Sequence, residues 1–496
     1  MSASEAHYQR QTGAVRSALG PRFAALLSLD RVAVAVGAIT LAGAALRLAL
    51  AGGPMLNDEI LSLEHVRPLK HFWDVFWGIS HDNNHFLTSL WLYWLDSREV
   101  SAFALRAPSI LAGAALIPVM AMIARRSSPA AAVIAAALTA LSYFFFNYSV
   151  EARGYAGLAL AFAVAFDATE RCINNPRSRA RYALAAASGL GALAHFGMIP
   201  AVVLLALGAF PALLRRERRL EPAILACFRI FFPAALAMLP AIACFFLGVL
   251  VVGWFKIGAA LAFDTSLTLR ALATAARDTF GLPDLAPNFL ILLGAAAIIV
   301  GALASRFVSA ERKFLYAAII IGLPAIVFAM RPFNAHVARY YLIVPLALIL
   351  VLADLFEAAW KAGGARRLAA SAALAAILVG DGAQIARFQS AQARPWNDAL
   401  AIIAASPRPI VTTDFEDRIG LFVRYYNWRD GAHLETVAER DVCEKSPDWL
   451  LSWAADDEIV PDRLVVGEFC PTPFTFVGRY ATWGLSKVPW ALYRRQ

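Results

Sequence analysis

The chain has 496 residues, of which 60% are hydrophobic and only 16% are charged, and its mean hydropathy is +0.59. A soluble protein usually has about a quarter of its residues charged. The composition therefore argues against a soluble globular protein, and it excludes a disordered chain, a collagen, a coiled coil and a small disulfide scaffold. The net charge of +9 does not indicate a nucleic-acid partner, because the basic residues form short clusters between apolar segments.

Apolar segments of roughly 20 residues can cross a bilayer as helices, and the sequence predicts about eleven of them. They are 31–51, 103–124, 129–147, 154–170, 182–196, 197–214, 226–253, 288–305, 313–330, 340–360 and 367–386. Residues 1–30 are polar and lack a cleavage site with small residues, so the first span is interpreted as an uncleaved anchor. The prediction is an all-α polytopic membrane protein.

Clusters of Lys and Arg indicate the orientation of the spans, because short basic loops stay in the cytoplasm. Every second loop is basic, as at 125–126, 171–181, 215–219, 306–313 and 361–367. This pattern predicts a cytoplasmic N-terminal segment (1–30), a membrane domain (31–386) with a long outer loop (52–102), and a C-terminal domain (387–496) outside the membrane.

The C-terminal segment 387–496 mixes apolar and charged residues as soluble domains do, and it is predicted to be a small periplasmic α/β domain. It contains Cys443 and Cys470, which are expected to form a disulfide if the compartment is oxidising, with two free thiols as the alternative. The chain has no Cys-x-x-Cys or Cys/His spacing of the kind that binds zinc.

The first outer loop carries Asp58 and Glu59 a few residues after the first span. Adjacent carboxylates that are partly buried are candidates for a general base. The alternative is a solvated helix start, at which Asp58 caps the helix and Glu59 interacts with its dipole. Spacing alone favours this alternative.

A second polar motif, His81-Asp-Asn-Asn84-His85, precedes an aromatic helix. Its hydrogen-bonding groups could bind a sugar, or a divalent metal ion could be held by His81 and His85 at positions i and i+4. The two asparagines between the histidines fit a turn equally well.

Charged residues also lie near the predicted outer ends of later spans. Glu151 and Arg153 occur there without a long loop, which is costly unless they pair with each other or serve a function. Arg47 could snorkel to the surface or face the acidic pair, and His195 is interpreted as a core histidine. Arg331, Arg339 and His336 lie where a lipid phosphate would be, and arginine suits phosphate through its bidentate geometry.

These motifs, in this order, resemble the GT-C glycosyltransferases of family 39, which are related to protein O-mannosyltransferases and to lipid A aminoarabinose transferases. The similarity extends from the first span to about residue 360. It includes Asp58-Glu59, His81 to Leu87, Leu92-Tyr93-Trp94, Arg106-Ala-Pro-Ser109, Ser149 to Tyr155, and Arg339-Tyr340 followed by Pro345. Two departures are Phe86, where the family often has Pro, and the missing Lys-Pro-Pro-Leu motif of the aminoarabinose transferases.

The resemblance implies a GT-C fold and an enzyme that moves a sugar, with inversion, from a polyprenyl phosphate to an acceptor hydroxyl on a protein, lipid or glycan. Asp58 would be the base, with Glu59 beside it. Arg153, Arg339 and His336 would hold the donor phosphate. His81, Asn84, His85, Glu151 and Tyr155 would line the sugar or acceptor pocket. The expected location is the periplasmic face of a bacterial inner membrane.

Two other classes of protein remain open. A transporter or lipid flippase is expected to show hydropathy repeats and ionisable groups at mid-membrane depth, and neither is clear in this sequence. A polyprenyl-diphosphate glycan ligase or polymerase would keep its charged residues mainly in a large late outer loop, whereas Asp58 and Glu59 lie in the first.

Overall fold

The computed structural model describes residues 30–79, 81, 83–253, 261–392, 395–454, 459–466, 471–480, 485 and 489–496. The first half of the membrane domain contains α1 (Arg31–Leu50), α2 (Asn57–Val66), α3 (Asp74–Trp77), α4 (Phe86–Trp94), α5 (Ala102–Ala124), α6 (Pro129–Leu141), α7 (Tyr143–Ser149), α8 (Tyr155–Asn174) and α9 (Ala180–Ala194). The second half contains α10 (Met198–Glu217), α11 (Leu220–Val252), α12 (Thr265–Thr279), α13 (Asn288–Ala304), α14 (Ala310–Ile320), α15 (Gly322–Met330), α16 (Ile343–Ala362) and α17 (Gly364–Ala391).

Each of the eleven predicted spans contains a helix. Within the described residues, seven helices are long and apolar enough to cross a membrane, or eight if the bent pair α6 and α7 counts as one span. The other three predicted spans correspond to α8, α9 and α13, which are helical but shorter or more polar. The chain is thus a multi-pass membrane protein, with fewer full-length spans than predicted.

The bend between α6 and α7 exposes backbone groups that two buried side chains satisfy. The two helices meet at 58°. Arg47 donates to the carbonyl oxygens of Ala140 at 3.1 Å and Thr139 at 3.4 Å, and Asp381 accepts from the backbone N–H of Tyr143 at 3.1 Å. Arg47 is fully buried, so it neither snorkels nor faces the acidic pair, and both interpretations were wrong. The bundle retains it because unpaired backbone groups are costly in an apolar interior.

The C-terminal segment forms the predicted α/β domain, which confirms the fold class. Its helices are α18 (Trp396–Ala404), α19 (Glu416–Asp430) and α20 (Val442–Lys445), and its strands are β1 (Ile410–Thr413), β2 (Glu435–Val437), β3 (Trp449–Trp453), β4 (Arg463–Val466), β5 (Thr472–Tyr480) and β6 (Trp490–Arg495). The sheet order is β2-β1-β3-β6-β5-β4. The first three strands are parallel, and the rest pair antiparallel.

The C-terminal domain shares a hydrophobic core with α2. Ile60 and Leu63 of α2 pack in one buried cluster with Trp396, Phe422 and Trp490. Trp396 also donates its indole N–H to the carbonyl oxygen of Met55 at 2.9 Å. The helix that carries Asp58 and Glu59 in its first turn is therefore anchored by the C-terminal domain.

Candidate active site

The start of α2 is fixed by one of the two adjacent carboxylates. Leu56 precedes the helix in an extended conformation, and Glu59 accepts a hydrogen bond from the backbone N–H of Leu56 at 2.7 Å. A carboxylate in the first turn is favourable because the first amides of a helix have no partners within it. This contact places Asp58 and Glu59 on different sides of the helix start.

Glu59 belongs to a buried ion pair with Arg106 of α5. The guanidinium contacts both carboxylate oxygens, at 2.8 Å from Nε and 2.7 Å from Nη2. Glu59 also accepts from the backbone N–H of Ala152 at 2.5 Å. Arg106 donates in addition to the carbonyl oxygens of Ala51, Gly53 and Pro54. Both groups are thus saturated, and they hold the loop that follows α1 against α5 and the segment after α7.

Asp58 faces two arginines from distant parts of the chain. Its Oδ2 lies 2.8 Å from Nη1 of Arg339, and its carbonyl oxygen accepts from Nη1 of Arg153 at 3.2 Å. Burial alone would raise the pKa of Asp58, but the charges of Arg339 and Arg153 outweigh it and hold the pKa of this carboxyl well below its usual range. Asp58 is therefore ionised in the resting protein.

Ser62 connects Asp58 to the second motif, and the sequence analysis missed it. Its hydroxyl accepts from Nη1 of Arg153 at 2.8 Å, and it lies 3.4 Å from Nε2 of His85. Burial, together with the charge of Arg153, lowers the pKa of His85 well below its usual value, so the imidazole is neutral. The signal was present, because Ser62 follows Asp58 by one helical turn and lies on the same face of α2.

A tight segment between α7 and α8 supplies Glu151 and Arg153. A Cβ on Gly154 would lie 1.9 Å from the carbonyl oxygen of Ala194 and 2.8 Å from Cβ of His85, so only glycine allows this close approach. Asn147 donates to Glu151 Oε1 at 2.6 Å. Burial and the negative charges of Glu59 and Asp58 raise the pKa of Glu151 to about 8.

Replacing Glu151 by Gln is expected to preserve turnover near neutral pH, since a carboxyl with this pKa is about nine-tenths protonated at pH 7. In the unfolded chain Glu151 ionises near its ordinary value of 4.5, whereas in the folded chain it stays protonated up to about 8. The folded wild type therefore binds the extra proton and loses stability as the pH rises through this range. The Glu151→Gln variant has no such proton. As the pH increases, its melting temperature should therefore rise relative to that of the wild type.

The check is thermal unfolding of both proteins from about pH 5 to about pH 9. If the melting temperatures of the two proteins changed with pH in the same way across that range, Glu151 would not titrate as described. A large loss of turnover near neutral pH would show instead that the ionised form of Glu151 is required.

An apolar cavity of about 780 Å³ opens beside this group of residues. Its walls come from the segment between α9 and α10, from α15, and from residues 332–335 and 339–343, and they are mostly apolar, with Leu158, Leu323 and Met330 among them. Arg339 and Asn84 line the same cavity. The site thus combines an ionised carboxylate, two guanidinium groups and a cavity that suits an apolar chain.

His195 and Tyr155 connect the cavity to the arginines. Nε2 of His195 lies 3.4 Å from Nδ2 of Asn84, and its Nδ1 accepts from the backbone N–H of Gly197 at 2.9 Å. The Tyr155 ring lies 4.8 Å from the His195 ring and 5.6 Å from the guanidinium carbon of Arg339. His195 is buried as expected of a core histidine, but it also lines the cavity.

Some of the predicted site residues lie elsewhere. The His81 ring packs edge-on against His65 at 5.7 Å, whereas His85 faces Ser62. His336 is on the loop of Arg339, but it is not among the residues that line the cavity. Asp82 and Cys470 lie outside the described residues, so the predicted disulfide with Cys443 stays a prediction.

A divalent metal ion does not fit the residues around Asp58. The carboxylate is flanked by two guanidinium groups, whose charges oppose a cation. Within the described ranges, no group of three or more His, Cys, Asp or Glu side chains is placed to hold a metal ion.

Comparisons with known proteins return structures only, since no family model and no curated protein matches. An oligosaccharyltransferase from Archaeoglobus fulgidus, in complex with Zn and sulfate, aligns with 13% identity and a TM-score of 0.45 over 84% of this chain and 68% of its own. ArnT from Cupriavidus metallidurans bound to undecaprenyl phosphate aligns with 13% identity and a TM-score of 0.45 over 93% of this chain and 97% of its own.

The same ArnT in the apo state aligns with 11% identity and a TM-score of 0.37 over the same shares of the two chains. The proteins found are membrane glycosyltransferases of the kind that the sequence motifs resemble. At these identities and scores the similarity carries no weight for function, which has to be inferred from the residues of this chain.

Proposed function

We propose that the protein is an integral membrane glycosyltransferase that moves a sugar from a polyprenyl-phosphate donor to an acceptor hydroxyl on the periplasmic side, with inversion. The observation that carries the proposal is the ion pair between Asp58 and Arg339, at 2.8 Å, beside a large apolar cavity that Arg339 also lines. One residue pair thus joins a candidate base, a candidate phosphate ligand and a compartment for a lipid chain.

The cavity supports a lipid donor. Its walls are mostly apolar, and Met330 and Phe333, which line it, are 75% and 67% exposed. Large exposed apolar side chains on a multi-pass protein are expected to contact the membrane. An isoprenoid chain could therefore enter from the bilayer while its phosphate stays beside Arg339.

The reaction is a single displacement at the anomeric carbon. The acceptor oxygen forms a bond to this carbon as the bond from the carbon to the phosphate oxygen breaks, and Asp58 takes the proton of the acceptor hydroxyl. Polyprenyl phosphate leaves with the electron pair. Arg339 and Arg153 offset the charge that develops on it.

Donor binding would also activate the base. A phosphate that bonds to Arg339 competes with Asp58 for the guanidinium, because arginine binds both groups by the same geometry. Losing this partner raises the pKa of Asp58 toward its ordinary value and makes the carboxylate a better proton acceptor. The resting ion pair thus keeps the base weak until the donor arrives.

Four other predicted residues receive roles consistent with their positions. Glu59 holds α2 in place through Arg106 and is assigned a positioning role. Tyr155, Asn84 and His85 border the space between Asp58 and the cavity, so we assign them to the sugar. Oη of Tyr155, Oδ1 of Asn84 and Nδ1 of His85 are buried and have no hydrogen-bond partner in the described part of the chain, which leaves them available to sugar hydroxyls.

The test is transfer of label from radiolabelled polyprenyl-phosphate sugars to a membrane extract, with purified wild type and the variant Arg339→Gln. Losing a charge-assisted contact to phosphate is expected to lower kcat/KM for the donor about ten- to hundredfold. Arg331→Gln is the matched control, because Arg331 is on the same loop and exposed and is absent from the cavity lining.

Transfer by the wild type with equal loss in both variants would remove the special role of Arg339. If the protein transfers label from none of the polyprenyl-phosphate sugars but moves labelled lipid between the leaflets of vesicles, the chain is a flippase and the proposal fails. Activity on polyprenyl-diphosphate donors alone would favour a ligase or polymerase.

A further inference from the structure

A second cavity lies at the junction of the membrane domain and the C-terminal domain, and the proposed reaction does not use it. It has a volume of about 290 Å³, near the lower end of the range for small-molecule sites. We call it the junction cavity, and the lining residues used below are Gly53, Met55, Asn397, Tyr425, Arg429 and Asp430.

The junction cavity offers both donors and acceptors. Oδ1 of Asn397 is buried and has no hydrogen-bond partner in the described part of the chain. Nη1 of Arg429 donates to the carbonyl oxygen of Val100 at 3.2 Å and to the Tyr425 hydroxyl at 3.1 Å, which fixes the guanidinium at the wall. Asp430 adds a carboxylate. Because one cation and one anion line it, the cavity does not select for a charged ligand.

Buried polar atoms are nearly always paired, so the orphaned amide oxygen of Asn397 requires an explanation. A ligand hydroxyl would satisfy it. The ring of Tyr425 also lines the cavity. Aromatic surface together with amide, guanidinium and carboxylate groups matches a neutral ligand with several hydroxyl groups.

The position of the junction cavity relates it to the proposed active site. Met55 lines the cavity and precedes Asp58 by three residues, a separation of at most about 11 Å along the backbone. Gly53, which also lines the cavity, accepts from Arg106, the partner of Glu59. The junction cavity is therefore linked to the start of α2 through Met55 and through the contact of Gly53 with Arg106.

We infer that the junction cavity binds one pyranose unit of the acceptor, adjacent to the unit that receives the transferred sugar. The inference rests on the proposed glycosyltransferase function and specifies its acceptor as a glycan. It also gives the C-terminal domain a role, because α18 and α19 supply Asn397, Tyr425, Arg429 and Asp430.

The experiment is saturation-transfer NMR on the full-length protein, in a detergent without sugar head groups, with the methyl glycosides of glucose, galactose and mannose as probes. At least one glycoside should receive saturation from the wild type. In Asn397→Leu its affinity should fall about three- to tenfold, the effect of one lost hydrogen bond. Asp398→Asn is the matched control on the same helix, since Asp398 is exposed and outside the junction cavity.

Asn397→Leu also separates a ligand-binding role from a structural one. Removing an unpaired buried amide should leave the melting temperature equal or higher, because no hydrogen bond is lost on folding. Reduced affinity in a protein of undiminished stability therefore supports the inference. Equal affinity in wild type and Asn397→Leu would overturn it, as would the absence of saturation transfer from the wild type to all three glycosides.

Two further results distinguish this inference from the proposed function. Asp58→Asn should bind the glycoside as the wild type does, because Asp58 is outside the junction cavity. Glycoside binding without any sugar transfer would support a carbohydrate site in the junction cavity and contradict the proposed glycosyltransferase activity. Displacement of the glycoside by inorganic phosphate would show that the cavity is an anion site and would overturn the inference.

Discussion

Turnover of the Asp58→Asn variant is expected to be about a hundred- to ten-thousandfold lower than that of the wild type, the usual contribution of a general base. Asn has nearly the same shape and keeps a side-chain oxygen beside Arg339, but it cannot take the proton of the acceptor hydroxyl. The measurement is the initial rate of label transfer, together with thermal unfolding to establish that the variant is folded.

Glu64→Gln is the matched control for Asp58→Asn. Glu64 is on the same helix and also pairs with an arginine, Arg67, at 2.6 Å, but it is partly exposed. A partly exposed pair contributes little, so this variant should retain near-normal turnover. A folded Asp58→Asn protein with wild-type rates would rule out Asp58 as the base and leave the class of enzyme open.

Breaking the ion pair between Glu59 and Arg106 is expected to have the largest effect on stability. Both side chains are at most 1% exposed, and removing one partner of a buried pair costs about 3–5 kcal/mol because the other charge stays buried without compensation. Glu59→Gln should therefore unfold at a markedly lower temperature than the wild type. The same variant should also lose turnover, because Glu59 and Asp58 are on the same helix.

The double variant Glu59→Leu/Arg106→Met tests the mechanism of this loss. Replacing both charges by apolar groups removes the uncompensated charge, and such replacements are often neutral or stabilising. The double variant should thus be more stable than Glu59→Gln, although the carbonyls of Ala51, Gly53 and Pro54 lose their donor. If the double variant lost as much stability as the single variants Glu59→Leu and Arg106→Met lose together, the two residues would not be coupled.

The sequence identified most of the polar residues of the site but could not assign all of their roles. Spacing could not tell which of Asp58 and Glu59 would meet Arg106 and which would meet Arg339, because the partners are on α5 and on a late loop. Glu59 consequently shared the catalytic role in the prediction, although the structure saturates it. The helical spacing of Ser62 from Asp58 was readable and was not used.

The helical bundle was predictable because apolar segments of membrane length are a direct consequence of the bilayer. The bend at Ser142 was not, since its stability depends on contacts from Arg47 and Asp381 that are remote in sequence. The same holds for the C-terminal domain. Its α/β character follows from composition, whereas its contact with α2 depends on residues as far apart as Met55 and Trp396, which are 341 positions apart.

The hydrophobic core that joins α2 to the C-terminal domain limits where the chain can be truncated and which segments can be exchanged with those of another protein. The predicted boundary between residues 386 and 387 falls inside α17 (Gly364–Ala391), and a cut there would also remove the domain that packs against α2, the helix that carries the proposed base Asp58. A chimaera designed to change the proposed acceptor preference therefore has to exchange residues 52–102 and the C-terminal segment together. In this sense the two pieces form a single module that the membrane spans interrupt.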